Sequence, residues 1–131
     1  MKKIILIAAL LGGLFIAGCK KDTTYIIKPM PVVVTKLVSF SKDLVPLFTQ
    51  NCAVAGCHGA GGKAPVLAAD KAFNSLMANT DYINVKSPED SELYLFLTGK
   101  KSPAMPMGKA TNPSNINGLV LAWIKQGAKK N

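Results

Sequence analysis

Residues 52–62 of this 131-residue chain read CAVAGCHGAGG, and this stretch decides how the whole sequence is interpreted. It contains Cys52 and Cys57, two of the three cysteines, and His58, the only histidine. Thiols and an imidazole this close together suit three kinds of chemistry: a zinc site, a disulfide, or covalent attachment of a haem. The rest of the sequence has to discriminate among them.

The N-terminus predicts an exported lipoprotein. Residues 1–3 carry two lysines and precede an apolar run over residues 4–17, which is the pattern of a secretory signal peptide. Residues 16–19, IAGC, resemble the bacterial lipobox. That resemblance implies that residues 1–18 are removed and that acylated Cys19 anchors the protein to a membrane. The alternative is an ordinary signal peptide with Cys19 as a bystander.

Export determines where the protein works and which partners suit it. We expect an extracytoplasmic protein facing the periplasm or the cell surface, and Lys20 after the acylated cysteine slightly favours the outer membrane. The formal net charge is +9 and every basic residue is a lysine. An exported protein without arginine is not expected to bind nucleic acid. The lysines can attract an acidic protein partner over a long range, although simple solubility explains them equally.

The mature chain is predicted to consist of a tether and one domain. Residues 19–38 contain Pro29 and Pro31, many β-branched side chains and no helical periodicity, so we expect an extended tether. Residues 39–131 show helical patterns separated by glycine- and proline-rich loops. This domain is predicted to be all-α, with about four short helices and long loops. A core this thin would gain stability from a bound cofactor.

Capping residues and apolar spacing locate the first two helices. We expect Ser41 to cap the first helix, which delivers the chain into Cys52 and starts late or bends at Pro46. The second helix is expected to begin near Asp70. The residues predicted to face the core from these helices are Leu44, Leu47, Phe48, Phe73, Leu76 and Met77.

The third helix has the clearest predicted start. Ser87 is the expected N-cap, Asp90 completes an S-x-x-D box with it, and Gly99 is expected to end the helix. The last helix is predicted over residues 113–126, with Asn112 as its cap. The residues predicted to face the core from these helices are Leu93, Phe96, Leu97, Ile116, Val120, Trp123 and Ile124.

Zinc binding and a disulfide each explain the cluster less completely than haem attachment does. Zinc usually takes four protein ligands, and this chain offers two thiols and one imidazole once Cys19 is acylated. A Cys52–Cys57 disulfide explains the thiols but gives no role to His58 or the glycines. Haem explains all three residues, because two thiols can form thioethers with its vinyl groups while the histidine binds the iron.

The spacing departs from the usual haem-attachment motif. That motif is C-x-x-C-H, whereas four residues separate Cys52 from Cys57 here. Residues 53–56 are small, so the longer loop can bulge without striking a porphyrin. A second arrangement attaches the haem through Cys57 alone, with Val54 where the first cysteine usually lies.

Residues 40–128 resemble the class I monohaem c-type cytochromes, especially the bacterial lipoprotein and planctomycete-like branch. The resemblance lies in four stretches: FSKDLVPLFTQNC at 40–52, CHGAGGKAPVL at 57–67, SPEDSELYLFLTG at 87–99, and AWIKQGA at 122–128. It implies a small cytochrome c-like domain around one covalently bound haem c. It also implies a one-electron carrier with a redox partner protein, rather than an enzyme.

The resemblance also implies roles for individual residues. Cys52 and Cys57 would form thioethers with the haem, and His58 would bind the iron. The carbonyl group of Pro65 would accept a hydrogen bond from the other ring nitrogen of His58, and Leu67 would pack on the haem face. Trp123 would pack against the first helix.

A methionine is the implied sixth ligand of the iron. Met105 begins the Met-Pro pair in SPAMPMG, residues 102–108, and fits the position used in the family. Met107 is the alternative. Met77 is interpreted as a core residue because of its helical spacing.

The lysines of several loops are expected to contact a protein partner. Those predicted to form a basic docking rim are Lys63, Lys100, Lys101 and Lys109.

Two other functions are alternatives to the electron carrier. The rival from another class is a disulfide-containing lipoprotein with a structural or binding role and no haem. A second rival is a haem enzyme or gas sensor in which Met105 does not bind the iron.

Overall fold

The structure is a computed structural model that describes residues 32–108 and 113–131. Its α-helices are α1 (Val45–Asn51), α2 (Ala72–Met77), α3 (Glu92–Thr98) and α4 (Ile116–Lys125). A π-helical turn, Phe40–Leu44, precedes α1, and 3-10 turns, Pro88–Asp90 and Pro113–Asn115, precede α3 and α4. No strand occurs within the described ranges. The prediction of an all-α domain with about four short helices is therefore confirmed.

Several predicted features fall outside the residues that the structure describes. These are the signal peptide at 1–18, Cys19, the tether as far as residue 31, Lys109 and the Asn112 cap. They stay predictions. In the part of the chain that is described, no helix has the length and apolar character needed to span a membrane.

The first helical segment begins at Ser39 rather than Ser41. The hydroxyl oxygen of Ser39 accepts a hydrogen bond from the Lys42 N–H at 3.2 Å, and the Asp43 carboxylate accepts one from the Ser39 N–H at 2.8 Å. The first bond satisfies an N–H group in the first helical turn, and the second satisfies the N–H group of the capping residue itself. The predicted cap, Ser41, instead donates its hydroxyl to the Asn131 carbonyl at 2.7 Å.

Pro46 lies in the first turn of α1, where its missing N–H has no partner to lose. The turn before it is π-helical, and the Val45 N–H bonds to the Phe40 carbonyl. The α-helix itself therefore begins at Val45, beside Pro46, although helical structure already begins at Phe40. The change from π to α geometry occurs at the residue before the proline.

The third helix starts later than its capping box predicts. The Ser87 side chain makes no capping hydrogen bond, and α3 begins at Glu92 after an extended residue, Ser91. The loop before α3 uses the polar side chains instead. The Ser91 hydroxyl accepts from the Asn84 N–H at 2.9 Å, and the Asn84 side chain accepts from the Ser87 N–H at 3.0 Å. Gly99 ends α3 in the left-handed conformation, as predicted.

The core is built around one aromatic cluster. Phe40 contacts Trp123 with ring centroids 5.1 Å apart, and it contacts Phe73 at 5.2 Å and Phe48 at 6.1 Å. The Trp123 indole N–H donates to the Lys129 carbonyl at 2.9 Å, so this large side chain is buried without an unsatisfied donor. The contact that the family resemblance implied between Trp123 and the first helical segment is present.

Most predicted core residues are buried, four are partly buried, and one is exposed. The four partly buried residues are Leu47, Phe73, Leu93 and Phe96. The predicted residues that are fully buried are Leu44, Phe48, Leu76, Leu97, Ile116, Val120, Trp123 and Ile124. Met77 was expected in the core but is 42% exposed. The reason is the direction of α2, in which Ala72 and Leu76, four residues apart, take the core stripe. Met77 is one residue further, about 100° around the helix, and faces outward.

Residues 32–38, which we call the docked segment, lie along α4. The Asn115 side chain accepts from the Val32 N–H at 2.9 Å and donates to the Val32 carbonyl at 2.8 Å. The Gln126 side chain accepts from the Val38 N–H at 2.9 Å and donates to the Lys36 carbonyl at 3.0 Å. Two amide side chains at the two ends of α4 therefore fix the segment that the sequence assigned to the tether.

We predict that Gly118→Ala destabilises the protein. Alanine in place of glycine usually stabilises a helix by about 1 kcal/mol. At Gly118, however, a Cβ would overlap the Val32 carbonyl oxygen and lie 2.6 Å from the Asn115 side-chain nitrogen. Overpacking of this kind costs about 1–3 kcal/mol, so the free energy of unfolding should fall in denaturant titrations.

Asn115→Asp tests the cause of that loss, because it removes one of the two bonds to Val32. The two substitutions together should cost less than the sum of their separate effects, since both displace the docked segment. A Gly118→Ala variant that is more stable than the parent would contradict the close packing of Val32 on α4.

A second prediction concerns acid stability. The Lys36 ammonium group, 2.7 Å away, and the Ser39 N–H hold the pKa of Asp43 below its usual value. A lowered folded-state pKa adds stability above the unfolded-state pKa, and this stability is lost as the pH falls through the folded-state value. Lys36 is 62% exposed, so the contribution is screened and should be less than about 1 kcal/mol.

Asp43→Ala should therefore lower stability at neutral pH and have little effect in strong acid. Asp43→Asn, which keeps an acceptor for the Ser39 N–H, should lose less. Urea titrations at several pH values measure both variants. A difference between Asp43→Ala and the parent that stays constant down to the lowest pH would contradict this assignment.

Candidate functional site

The loop after α1 folds back so that His58 meets the helix end at Cys52. The Cys52 N–H bonds to the Phe48 carbonyl at 2.8 Å, so this residue is fixed at the end of α1. The His58 N–H bonds to the Cys52 carbonyl at 3.1 Å and closes the loop. A turn in which the Cys57 N–H bonds to the Val54 carbonyl at 3.0 Å accommodates the four intervening residues.

Two glycines permit this compact path. A Cβ at Gly62 would overlap the Cys57 carbonyl oxygen, and one at Gly59 would lie 2.9 Å from the Ala53 carbonyl oxygen. The Cys57 carbonyl also accepts from the Lys63 N–H at 2.8 Å, which explains why the backbone passes so close. Backbone contacts within the loop therefore require glycine at positions 59 and 62.

The His58 ring is anchored through one nitrogen. Its Nδ1 lies 3.0 Å from the Pro65 carbonyl oxygen and 3.2 Å from the Lys63 carbonyl oxygen. Carbonyl oxygens only accept hydrogen bonds, so Nδ1 carries the proton. In the neutral imidazole, Nε2 then has the lone pair that a metal ion requires. The hydrogen bond that the resemblance implied between His58 and Pro65 is thus present.

The two thiols differ in accessibility. Cys52 is buried with the core, whereas Cys57 is exposed on the loop. The structure does not join them in a disulfide. Among the described residues, no three histidine, cysteine or acidic side chains are grouped closely enough to hold a metal ion.

Leu67 and Met105 lie on the apolar core that also contains Cys52. Leu67 is 3% exposed, and its N–H bonds to the His58 carbonyl at 2.6 Å, which ties the histidine to the core. Met105 is half-buried against the same core, and its N–H bonds to the Phe96 carbonyl at 2.9 Å. Met107 is 68% exposed. Burial therefore separates the two candidate methionines.

The predicted rim lysines are exposed where the structure describes them. Lys63 lies in the loop beside His58, while Lys100 and Lys101 follow α3. Lys101 forms an ion pair with Glu92, and the Lys100 ammonium lies 5.9 Å from the centre of the Tyr94 ring. Part of this positive charge is therefore already engaged within the domain.

Two contacts of the site were not predicted from the sequence. The carbonyl group of Lys63 is a second acceptor near Nδ1 of His58. A backbone carbonyl carries no signal in the identity of its residue, so only the folded loop reveals it. Ser75 was also missed, although its hydroxyl accepts from the Val66 N–H at 2.7 Å and fixes the loop to α2.

No protein-family model matches the chain, and no curated protein or solved structure matches it significantly. The functional interpretation therefore depends on the residues of this loop and on their geometry.

We predict that the two thiols react at different rates in the reduced, haem-free protein. Cys57 should be alkylated at least about tenfold faster than Cys52, because a buried thiol reacts only after local opening. Brief treatment with iodoacetamide, followed by peptide mass analysis, measures both rates in one sample. The same treatment in denaturant is the control and should remove the difference. Equal rates in the folded protein would contradict the burial of Cys52.

Proposed function

We propose that this protein is a lipid-anchored, extracytoplasmic one-electron carrier with a covalently bound haem c. The observation that carries the proposal is the hydrogen bond from His58 Nδ1 to the Pro65 carbonyl. It leaves the lone pair on Nε2, in a histidine that directly follows Cys57. A histidine that is held in this way, with two cysteines shortly before it in the sequence, offers the donor types that a c-type haem requires.

The residues that would hold the haem fit it chemically. Cys52 and Cys57 would supply the thioether sulfurs, His58 would supply one axial ligand, and buried Leu67 offers an apolar contact. The haem, when bound, supplies an iron that accepts and releases one electron. The hydrogen bond to Pro65 fixes the tautomer of His58 and increases the basicity of Nε2. The second arrangement, with attachment through Cys57 alone, stays open because Cys57 is the more accessible thiol.

Met105 is the proposed sixth ligand. It is half-buried on the same core as Cys52 and Leu67, whereas Met107 is largely in solvent. A thioether ligand favours the reduced iron and raises the reduction potential. A histidine and a methionine that both bind the iron leave no coordination position for a substrate. This ligand set therefore suits electron transfer better than catalysis or gas sensing.

The proposed partners are a membrane and an acidic redox protein. The anchor would be Cys19, with the protein held outside the cytoplasm and the outer membrane slightly favoured. Lys63 and Lys100 are exposed and would attract an acidic docking surface, while Lys101 already pairs with Glu92. Because every basic residue is a lysine and the protein is exported, nucleic acid is not among the proposed partners.

The deciding experiment is production of the full chain with a c-type cytochrome maturation system. We expect haem to stay attached after denaturation and the intact mass to include it. The pyridine haemochrome band then shows whether one or two thioethers formed, and Cys52→Ala and Cys57→Ala variants show which thiol is needed. A colourless protein with the mass of a Cys52–Cys57 disulfide would overturn the proposal and leave the disulfide-containing lipoprotein.

We also predict that Met105→Leu and Met107→Leu differ in the haem-loaded protein. Met105→Leu should remove the sulfur-to-iron charge-transfer band of the oxidised form and lower the reduction potential. Met107→Leu is the matched control and should leave both unchanged, because its side chain is 68% exposed. Loss of the band in Met107→Leu alone would reverse the assignment. A parent protein that lacks the band would favour the haem enzyme or gas sensor.

A further inference from the structure

Exposed apolar side chains are concentrated in the docked segment. Val33 is 84% exposed and Leu37 is 74% exposed, although hydrogen bonds to Asn115 and Gln126 fix the backbone around them. Outside this segment, the large apolar side chains that are exposed in the described residues are Val54, Met77, Val85 and Met107. These are spread along the chain, whereas those of the docked segment lie within a few residues. Such a concentration is typical of a surface that contacts another apolar phase.

Positive charge surrounds the same segment. The Asn131 carbonyl accepts from the Ser41 N–H at 2.9 Å and from the Ser39 hydroxyl at 3.0 Å, so the last residues lie beside the end of the docked segment. The segments that these bonds join carry four exposed lysines: Lys36, Lys42, Lys129 and Lys130. Of these, the Lys130 ammonium lies 5.6 Å from the centre of the Phe73 ring. Asp43 is the only acidic residue in 32–43 and 127–131. The region therefore keeps an excess of positive charge after the Lys36–Asp43 ion pair is counted.

The position of the segment in the chain limits its distance from the proposed anchor. Residues 20–31 separate Cys19 from the docked segment. A chain of that length spans at most about 45 Å. The lipid at Cys19 would therefore keep Val33 and Leu37 within reach of the bilayer surface to which it is attached.

We propose that the docked segment and its four lysines lie on the negatively charged surface of the bilayer that carries the anchor. Val33 and Leu37 would enter the boundary between headgroups and acyl chains, and the lysines would face anionic headgroups. The inference depends on the membrane anchor in the proposed function, but it is independent of the haem. It changes the role of residues 32–38 from a spacer to a contact that orients the domain.

The test uses the mature, lipidated, haem-loaded full chain in vesicles of phosphatidylethanolamine and phosphatidylglycerol. A benzophenone amino acid replaces Val33 or Leu37, and in a control it replaces Val85, which is 46% exposed. After illumination, lipid adducts are measured by mass analysis, while flotation reports membrane association and absorbance reports the haem. We expect several-fold more lipid adduct at positions 33 and 37 than at 85.

A charge variant tests the ionic part of the contact. Lys42→Glu, Lys129→Glu and Lys130→Glu combined should reduce the adducts at positions 33 and 37 in these vesicles. The reduction should be smaller in vesicles of phosphatidylcholine alone, which carry no net charge. Unchanged adduct yield in both kinds of vesicle would overturn the assignment of anionic headgroups as the partner.

The outcomes separate this inference from the proposed function. A chain that floats with the vesicles but gives no more adduct at 33 and 37 than at 85 overturns this inference alone. Adducts to a second copy of the chain in place of lipid overturn it as well. A chain that does not float overturns both the inference and the lipid anchor. Loss of haem absorbance with adducts retained overturns only the haem assignment.

Discussion

The packing of Trp123 against Phe40 joins the two ends of the domain, and the position of the candidate site depends on it. Phe40 begins the π-helical turn that leads into α1, and Trp123 lies in the last turn of α4. The residues after α4 close over the same contact, because the Asn131 side chain accepts from the Phe40 N–H at 2.8 Å. With its first turn held in this way, α1 has a fixed direction and ends at Cys52.

After Cys52, the path of the chain is held mainly by hydrogen bonds rather than by apolar packing. The loop of residues 52–67 has no regular secondary structure, and backbone carbonyl groups hold it together at Cys52, Cys57 and His58. The same kind of acceptor orients the His58 ring. A loop built in this way can hold an imidazole in one tautomer without a carboxylate partner. A neutral histidine that binds a metal ion must have its proton fixed on the other ring nitrogen in this way.

Seven of the lysines in the described residues form two groups with different proposed partners. Lys36, Lys42, Lys129 and Lys130 surround the docked segment, which also exposes apolar side chains, so a lipid surface suits them. Lys63, Lys100 and Lys101 lie in the loops that flank the candidate site, so an acidic redox protein suits them. In the first region the exposed apolar side chains, Val33 and Leu37, lie within one short segment, whereas near the second region the exposed Val54 and Met107 belong to separate loops. A domain held by its anchored region would leave the other region accessible.

The sequence by itself determined the helical class and most of the core, and it drew attention to the two thiols and the imidazole of the loop. Apolar residues with helical spacing had to be buried, which placed Leu44, Leu76 and Trp123 correctly. Local signals failed where side chains had several partners to choose from. Ser41 has the pattern of a helix cap, but its hydroxyl donates to the Asn131 carbonyl, which distant packing brings close. Ser87 also has this pattern, but its side chain makes no capping bond, and its N–H donates to the Asn84 side chain.

Only the tertiary structure decided which of several residues of the same type is packed against the core or bonded to a distant segment. It packed Met105 partly against the core and left Met107 exposed, although both lie in one short proline-rich loop. It fixed residues 32–38 on α4 through Asn115 and Gln126, which are far away in sequence. Sequence patterns report the properties of each residue, whereas burial and hydrogen-bond partners depend on which distant segments the fold brings together.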